Sequence, residues 1–202
     1  MSDFRYPYVI GWTGEAVAHR LVWRRGAQGE KLAYADSRPG DYAQGVLRLR
    51  QRGTRAGRPD FKTVNTRRQW RCMERALCQV CGRSAVDQES GRVWWLLSGS
   101  EGPGEGYTNA PPTCPACIPE AIAGCPHLRR HAAVCTVGAW LPFAVRADVF
   151  VPYVPPVRPV AINALVPFSD ERSRLCVARE LVVRLIDVQP ASLKKPWCAG
   201  SR

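Results

Sequence analysis

Two Cys-x2-Cys pairs, Cys78-Gln-Val-Cys81 and Cys114-Pro-Ala-Cys117, stand with 32 residues between them. Together they supply four thiolates, a donor set that satisfies a tetrahedral d10 ion without ligand-field preference, and Zn2+ is the expected occupant. The interval is longer than the roughly 15 to 20 residues of the usual ribbon pattern. Each pair suits a tight turn whose backbone amides point at the sulfurs and spread their charge. A closed shell of four thiolates leaves no position for water or substrate, so the site is expected to contribute folding free energy rather than catalysis.

A second constellation, Cys125-Pro-His127-x3-His131-x3-Cys135, places two imidazoles one helical turn apart. His127 and His131 could face one metal ion, joined by Cys125 and with Cys135 as a remaining ligand. Against an independent site, Leu128-Arg129-Arg130 stands where an acidic general base would be needed, and two arginines repel a cation. Both readings stay open: a separate Cys/His centre, or groups that brace the first metal site from its second shell of contacts. A Cys–His nucleophilic pair lacks a third residue to orient it. Cys72 and Cys176 read as buried small apolar residues.

The third chemistry is cationic. The net charge of +12 comes from 25 Arg and 4 Lys against 17 acidic residues, and between Arg48 and Arg75 nine Arg and one Lys face only Asp60 and Glu74. Such a surplus directs attention to a polyanionic partner, DNA or RNA, because each phosphate contact releases counterions. Candidate contacts are Arg52, Arg55 and Arg58 in a Gly- and Pro-containing loop over 51–59, with Arg67, Arg68 and Arg71 on the outer face of a helix over 67–77 capped by Thr66. A solvated surface in a chain rich in Arg is the competing reading.

The elements that must position these residues point to an α+β fold: antiparallel β-sheet regions around a four-cysteine zinc treble clef or ribbon, with a C-terminal helix. Residues 1–65 read as an antiparallel β region, with His19 a packed strand residue. Residues 66–131 read as the metal-binding unit with flanking helices, including a strand over 92–97 and a mobile glycine-rich loop over 98–113. Residues 132–202 read as β segments broken by prolines, a Pro-rich connector over 151–159, and an amphipathic helix over 171–186 with Leu175, Ala178, Leu181, Val182 and Leu185 on one face. The longest uncharged apolar stretch, 132–145, is short of the roughly 20 residues a membrane span needs. With no apolar leader and with cysteines in metal-ligand spacing, the expected location is the cytoplasm.

Two resemblances follow from these motifs. The run Leu77-Cys-Gln-Val-Cys-Gly82, a strand, then Asn109-Ala-Pro-Pro-Thr-Cys-Pro-Ala-Cys117 and a helix resembles the zinc-stabilised treble clef of HNH endonucleases. Asn109 stands where that family often has its middle Asn. The family's first His is replaced by Trp94-Trp-Leu-Leu97 and its last by Ile118, so the resemblance implies the scaffold without the base or the catalytic metal set. Over about residues 7–187 the order of Cys-Gln-Val-Cys-Gly, Trp-Leu, Pro-Pro-x-Cys-x2-Cys and Cys-Pro-His-Leu is similar to Arg-rich zinc-knuckle proteins of actinobacterial type, which implies a fold unit and no activity. The expected function is nucleic-acid binding. The alternatives are a protein-assembly factor using its tryptophans and the connector, and a zinc hydrolase or natural-product tailoring enzyme using Cys125, His127 and His131.

Overall fold

The computed structural model describes residues 6–27, 29–99, 104–152, 155 and 158–193. The 151–159 connector and the 98–113 loop therefore lie partly outside the described residues. In chain order the elements are β1 (Ile10–Trp12), β2 (Leu21–Gly26), β3 (Gly29–Tyr34), β4 (Tyr42–Ala43), β5 (Val46–Arg48) and β6 (Pro59–Val64). Helix α1 (Thr66–Glu74), β7 (Val93–Ser98), β8 (Gly104–Thr108), α2 (Ile118–Gly124) and α3 (Leu128–His131) follow. Three strands close the chain: β9 (Ala132–Val149), β10 (Ala161–Pro167) and β11 (Cys176–Pro190). The fold is α+β, dominated by strands, and β8 occupies part of the stretch expected to be a mobile loop.

The antiparallel pair β9 and β11 forms the spine, paired from Cys176 opposite Val149 to Pro190 opposite Cys135 with two shifts of register between. Each spine strand is long enough to serve two neighbours along its outer edge. β7 covers β9 over residues 132–137 and β10 covers it over 144–149, while β11 takes β5 in parallel near its start and β8 antiparallel near its end. Strand β4 lies beyond β5. Pro142 falls in the stretch of β9 that neither β7 nor β10 reaches, where a missing N–H costs the ladder least. This lets one strand run through a proline that was expected to divide two.

The helix expected over 171–186 is a correction. Asp170 does cap a turn, accepting from the Arg172 N–H at 2.8 Å, but the turn is a short 3-10 segment over Glu171–Leu175 that gives way to β11. The inward residues of β11 are Cys176, Ala178, Leu181, Val183, Leu185 and Val188. Their spacing is two residues except at two places, where it is three. One is a bulge at Arg179, between Ala178 and Glu180; the other surrounds Asp187, whose φ is +55°. Such interruptions shift the phase of a strand and give it a spacing that imitates a helix. The second is fixed from outside. Arg92 holds the Asp187 carboxylate and its carbonyl together with Thr136, and a Cβ on Gly138 would come within 2.6 Å of that carboxylate.

Helix α1 packs on β11 with Trp70 and Met73 fully buried. Its N-cap is Asn65, whose side chain accepts the Arg68 N–H, and not the expected Thr66. Gln69 is buried within the interface: its amide oxygen accepts the Leu181 N–H at 2.9 Å and its nitrogen donates to the Leu181 and Asn109 carbonyls, each at 2.9 Å. A helix side chain thus completes the hydrogen bonding of a strand that the sheet leaves open there.

Arg68, expected on the solvent face, is 6% exposed and turned inward onto Glu15, which is 0% exposed. Its guanidinium meets both carboxylate oxygens, at 2.6 and 2.9 Å, and donates to the Ile10 carbonyl at 2.7 Å. Asn65 Nδ2 and the Trp12 and Arg55 N–H groups also donate to Glu15. Burial pushes the Glu15 carboxyl up, but these donors outweigh it and hold the group below its ordinary value of 4.5. Because the folded-state value is depressed, the stabilisation is present above the unfolded value and is lost as pH falls through the folded one. Removing one member of a buried, hydrogen-bonded ion pair leaves the other uncompensated, so Arg68→Ala should cost about 3–5 kcal/mol in urea unfolding. The neighbouring exposed Arg67→Ala should change stability by less than about 0.5 kcal/mol. Glu15→Gln should flatten part of the acid limb of the stability profile below the ordinary carboxyl value of 4.5.

Candidate metal centre

The first knuckle follows α1 directly. An antiparallel bridge between Leu77 and Ser84 frames it, the Cys78 N–H donates to the Arg83 carbonyl at 2.7 Å, and the Gly82 N–H returns to the Cys78 carbonyl at 2.8 Å. Gly82 has φ +75°, and a Cβ there would sit 3.2 Å from the Tyr8 ring, so both conformation and space require glycine. The second knuckle closes through the Cys117 and Ile118 N–H groups on the Cys114 carbonyl, and α2 begins at once.

The four sulfurs lie within 4.8 Å of one another. Cys81 Sγ and Cys114 Sγ are 3.8 Å apart, and a tetrahedron with arms of about 2.3 Å has edges of about 3.8 Å. Cys78, Cys114 and Cys117 are buried and Cys81 half-buried. The Val80 N–H approaches Cys78 Sγ at 3.4 Å, as a knuckle amide should. Burial pushes the Cys81 thiol up, but the Arg83 backbone N–H and guanidinium, with the neighbouring thiols, bring it down to about 7. For Cys78 the same burial prevails and raises the thiol to about 11, and it raises Cys117 as well, with the Cys78 charge adding to the effect. A cation among the sulfurs removes this mutual repulsion, and the donor set fits a soft or borderline metal ion.

Gln79, inside the first Cys-x2-Cys, joins the two halves. Its N–H donates to the Pro112 carbonyl at 2.8 Å, and its side-chain nitrogen to the Pro111 carbonyl at 3.0 Å and Thr113 Oγ1 at 2.9 Å. From the other side the Tyr8 and Val9 N–H groups donate to the Val80 and Gln79 carbonyls, at 3.0 and 3.2 Å. The knuckles are therefore brought together by polypeptide contacts as well as by any shared ion. The sequence singled out the cysteines and missed this glutamine; its only signal was a bifunctional amide inside a knuckle, which spacing does not distinguish from a solvated one.

The second constellation does not gather. Among the described residues only Cys78, Cys81, Cys114 and Cys117 form a group of three or more potential ligands. The His127 and His131 rings lie 5.3 Å apart, tilted by 49° and exposed at the two ends of α3, while Cys135 is buried among the core residues of β9. Burial pushes Cys72 and Cys176 up to about 12, as suits small apolar fillers. Trp95 is fully buried, donating to the Ala110 carbonyl and meeting Trp140 edge-on at 5.7 Å, and half-buried Trp94 donates to Asp87. Asn109 is held by Glu180 at 2.5 Å. Ile118, directly after the second knuckle, is fully buried.

The candidate arginines divide. Arg52, Arg55, Arg58, Arg67 and Arg71 are exposed, whereas Arg68 belongs to the buried pair with Glu15. Arg55 is already engaged, donating to the Tyr8 carbonyl and lying 5.5 Å from the centre of its ring. The loop over 51–59 is tied down by Arg52, Arg55 and Arg58 backbone N–H groups on Glu15 and Thr13. Comparison with protein-family models, curated proteins and solved structures finds no match.

One metal ion per chain is the expected stoichiometry in metal analysis of the purified protein, and chelation should lower its melting temperature and disturb the near-ultraviolet signal of Trp95. Gln79→Ala should weaken metal affinity by about 10- to 100-fold in a competition titration while leaving all four ligands in place.

Proposed function

We propose that this chain is a zinc-stabilised basic binding protein that contacts nucleic acid through the exposed face of α1. The observation that carries this reading is a set of arginines that enter no ion pair among the described residues. Arg67, Arg71 and Arg75 stand exposed around a shallow hollow of about 300 Å3 shared with Arg48 and Glu74. None of the three pairs with a carboxylate among the described residues. Guanidinium groups on a rigid helix match the spacing and planar hydrogen bonding of phosphates, and DNA and RNA both offer them.

The metal centre supports the reading by holding that face in place. Helix α1 ends four residues before Cys78, and the Trp140 indole donates to the Met73 carbonyl at 2.7 Å, so the helix is anchored at its knuckle end. Four clustered thiolates favour Zn2+ over harder cations. A knuckle followed by a second knuckle that opens a helix supports the treble-clef likeness to HNH endonucleases. With buried Ile118 and the Trp94–Leu97 strand in place of the histidines, the reading is a binding scaffold without strand cleavage.

A protein-interface reading has one specific support, and it is not the tryptophans, since Trp70 and Trp95 are fully buried. Ile162, on the edge strand β10, is 72% exposed, with Val160 and Leu165 exposed beside it. The enzyme reading has less, because among the described residues Cys125, His127 and His131 do not gather, with one another or with an acidic group, as a cluster of three potential ligands.

Binding of a mixed pool of labelled oligonucleotides should fall steeply with salt in fluorescence anisotropy. Arg67→Ala, Arg71→Ala and Arg75→Ala should each weaken binding nearly uniformly across sequences and reduce the salt slope by about 1. Binding that ignores salt, or no binding at all, would remove this reading.

A further inference from the structure

Beside the first turn of α1 lies a cleft of about 590 Å3, walled by segments 38–41, 48–52 and 66–67. Arg38, Arg48, Arg50, Arg52 and Arg67 line it, against one carboxylate, Asp41. Two of these cations are already matched. Arg50 forks onto Asp41 and reaches Asp36 at 2.8 Å, and Arg38 pairs with Asp36 at 2.7 Å. Arg48, Arg52 and Arg67 have no carboxylate partner among the described residues, so the cleft holds a concentrated positive charge.

The same cleft has polar groups in want of an acceptor. In the first turn of α1, Gln51 takes the Thr66 N–H at 2.7 Å and Asn65 takes the Arg68 N–H at 3.1 Å, while the Arg67 N–H between them has no partner among the described residues. Thr66 lines the cleft, is 1% exposed, and its hydroxyl has no hydrogen-bond partner. A buried hydroxyl left without a partner costs on the order of 1–3 kcal/mol, a penalty that a ligand oxygen removes.

The walls are built before any ligand arrives. Glu15 accepts the Arg52 N–H on its carbonyl at 2.9 Å and Asn65 Nδ2 donates to the Arg52 carbonyl at 2.9 Å, so the buried network that caps α1 also fixes the opposite wall. Arg48 is braced by the Gly40 carbonyl at 2.6 Å and lies 5.5 Å from the centre of the Trp70 ring. Little ordering remains to be done on binding.

We propose that this cleft seats a single phosphoryl group, with Arg48, Arg52 and Arg67 as its cationic partners and the Thr66 hydroxyl and Arg67 N–H as neutral donors. Three cations and two further donors suit a tetrahedral dianion with three free oxygens better than a planar carboxylate with two. Val17, Leu49, Arg50 and Gln51 also line a second hollow of about 460 Å3 bounded by Trp12, which offers room beside the cleft for the group that carries the phosphate. That the carrier is the terminus of a nucleic-acid strand rests on the binding function proposed above; the seat itself rests on the cleft.

The test uses the full metal-loaded chain. Inorganic phosphate is titrated at constant ionic strength against a chloride control while the Thr66 and Arg67 amides are followed by NMR. A saturable shift confined to the cleft is expected, weakened about tenfold in Arg52→Ala or Arg67→Ala, the loss expected for one charge-assisted contact, and unchanged in Arg130→Ala, an exposed arginine on α3 away from the cleft. A strand ending in a phosphate should bind about tenfold more tightly than the same strand without it, and Arg67→Ala should abolish that difference. Shifts that track chloride, or a phosphate response that survives both cleft variants, would overturn the seat. Strand binding that ignores the end phosphate but is lost in Arg71→Ala and Arg75→Ala overturns the seat and leaves the broader binding function standing. Saturable phosphate with no strand bound supports the seat and overturns the nucleic-acid reading, leaving a free phosphate compound as the ligand.

Discussion

A carboxylate with no access to water must be answered by its surroundings, and Glu15 sets that demand for the whole basic half of the molecule. Its two oxygens gather the Arg68 guanidinium, the Asn65 amide and backbone N–H groups from residues 12 and 55. Such a buried pair is poor evidence of net stability, since isosteric apolar groups can serve as well or better. What it does supply is registry. One charge that can be satisfied in only one arrangement fixes where α1 starts, how the 51–58 loop returns, and which arginines are left facing solvent.

From that start, α1 carries positional information to the metal centre. Gln69 docks the helix onto β11, Trp140 holds its last turn, and the chain then enters the first knuckle with little freedom. Gln79 completes the sequence by joining the first knuckle to the second. The sulfur cluster and the cationic face are thus two ends of one rigid path through the helix. A metal ion held by the four cysteines would stiffen the cationic end without touching it.

The cysteine cluster was legible because ligand chemistry imposes spacing, and so was β7, whose Val-Trp-Trp-Leu-Leu run carries strong strand propensity. The last strand was not. Its apolar residues follow intervals of two and three because Arg179 is bulged out and Asp187 adopts a left-handed conformation, and the resulting pattern matches a helix about as well as a strand. Partners in β9 that decide between the two lie far back in the sequence. Arg68 was misplaced for a related reason: its position on a helix wheel says nothing of a carboxylate 53 residues away that needs it. Pro142 looked like a break because a proline's cost depends on whether a neighbouring strand is present, and in β9 none is on that side.

The interleaving of early and late segments in the large sheet also governs how the molecule must be made. Strand β5, at residues 46–48, finds its parallel partner only at Val177 and Ala178, and β7 and β8 likewise wait for β9 and β11. A chain leaving the ribosome therefore exposes most of its apolar strands until the final third has been synthesised, and its topology favours slow, post-translational closure. The local knuckles are the exception. A cation captured there early would give the nascent polypeptide its first fixed point, around which the remaining strands could be threaded once β11 emerges.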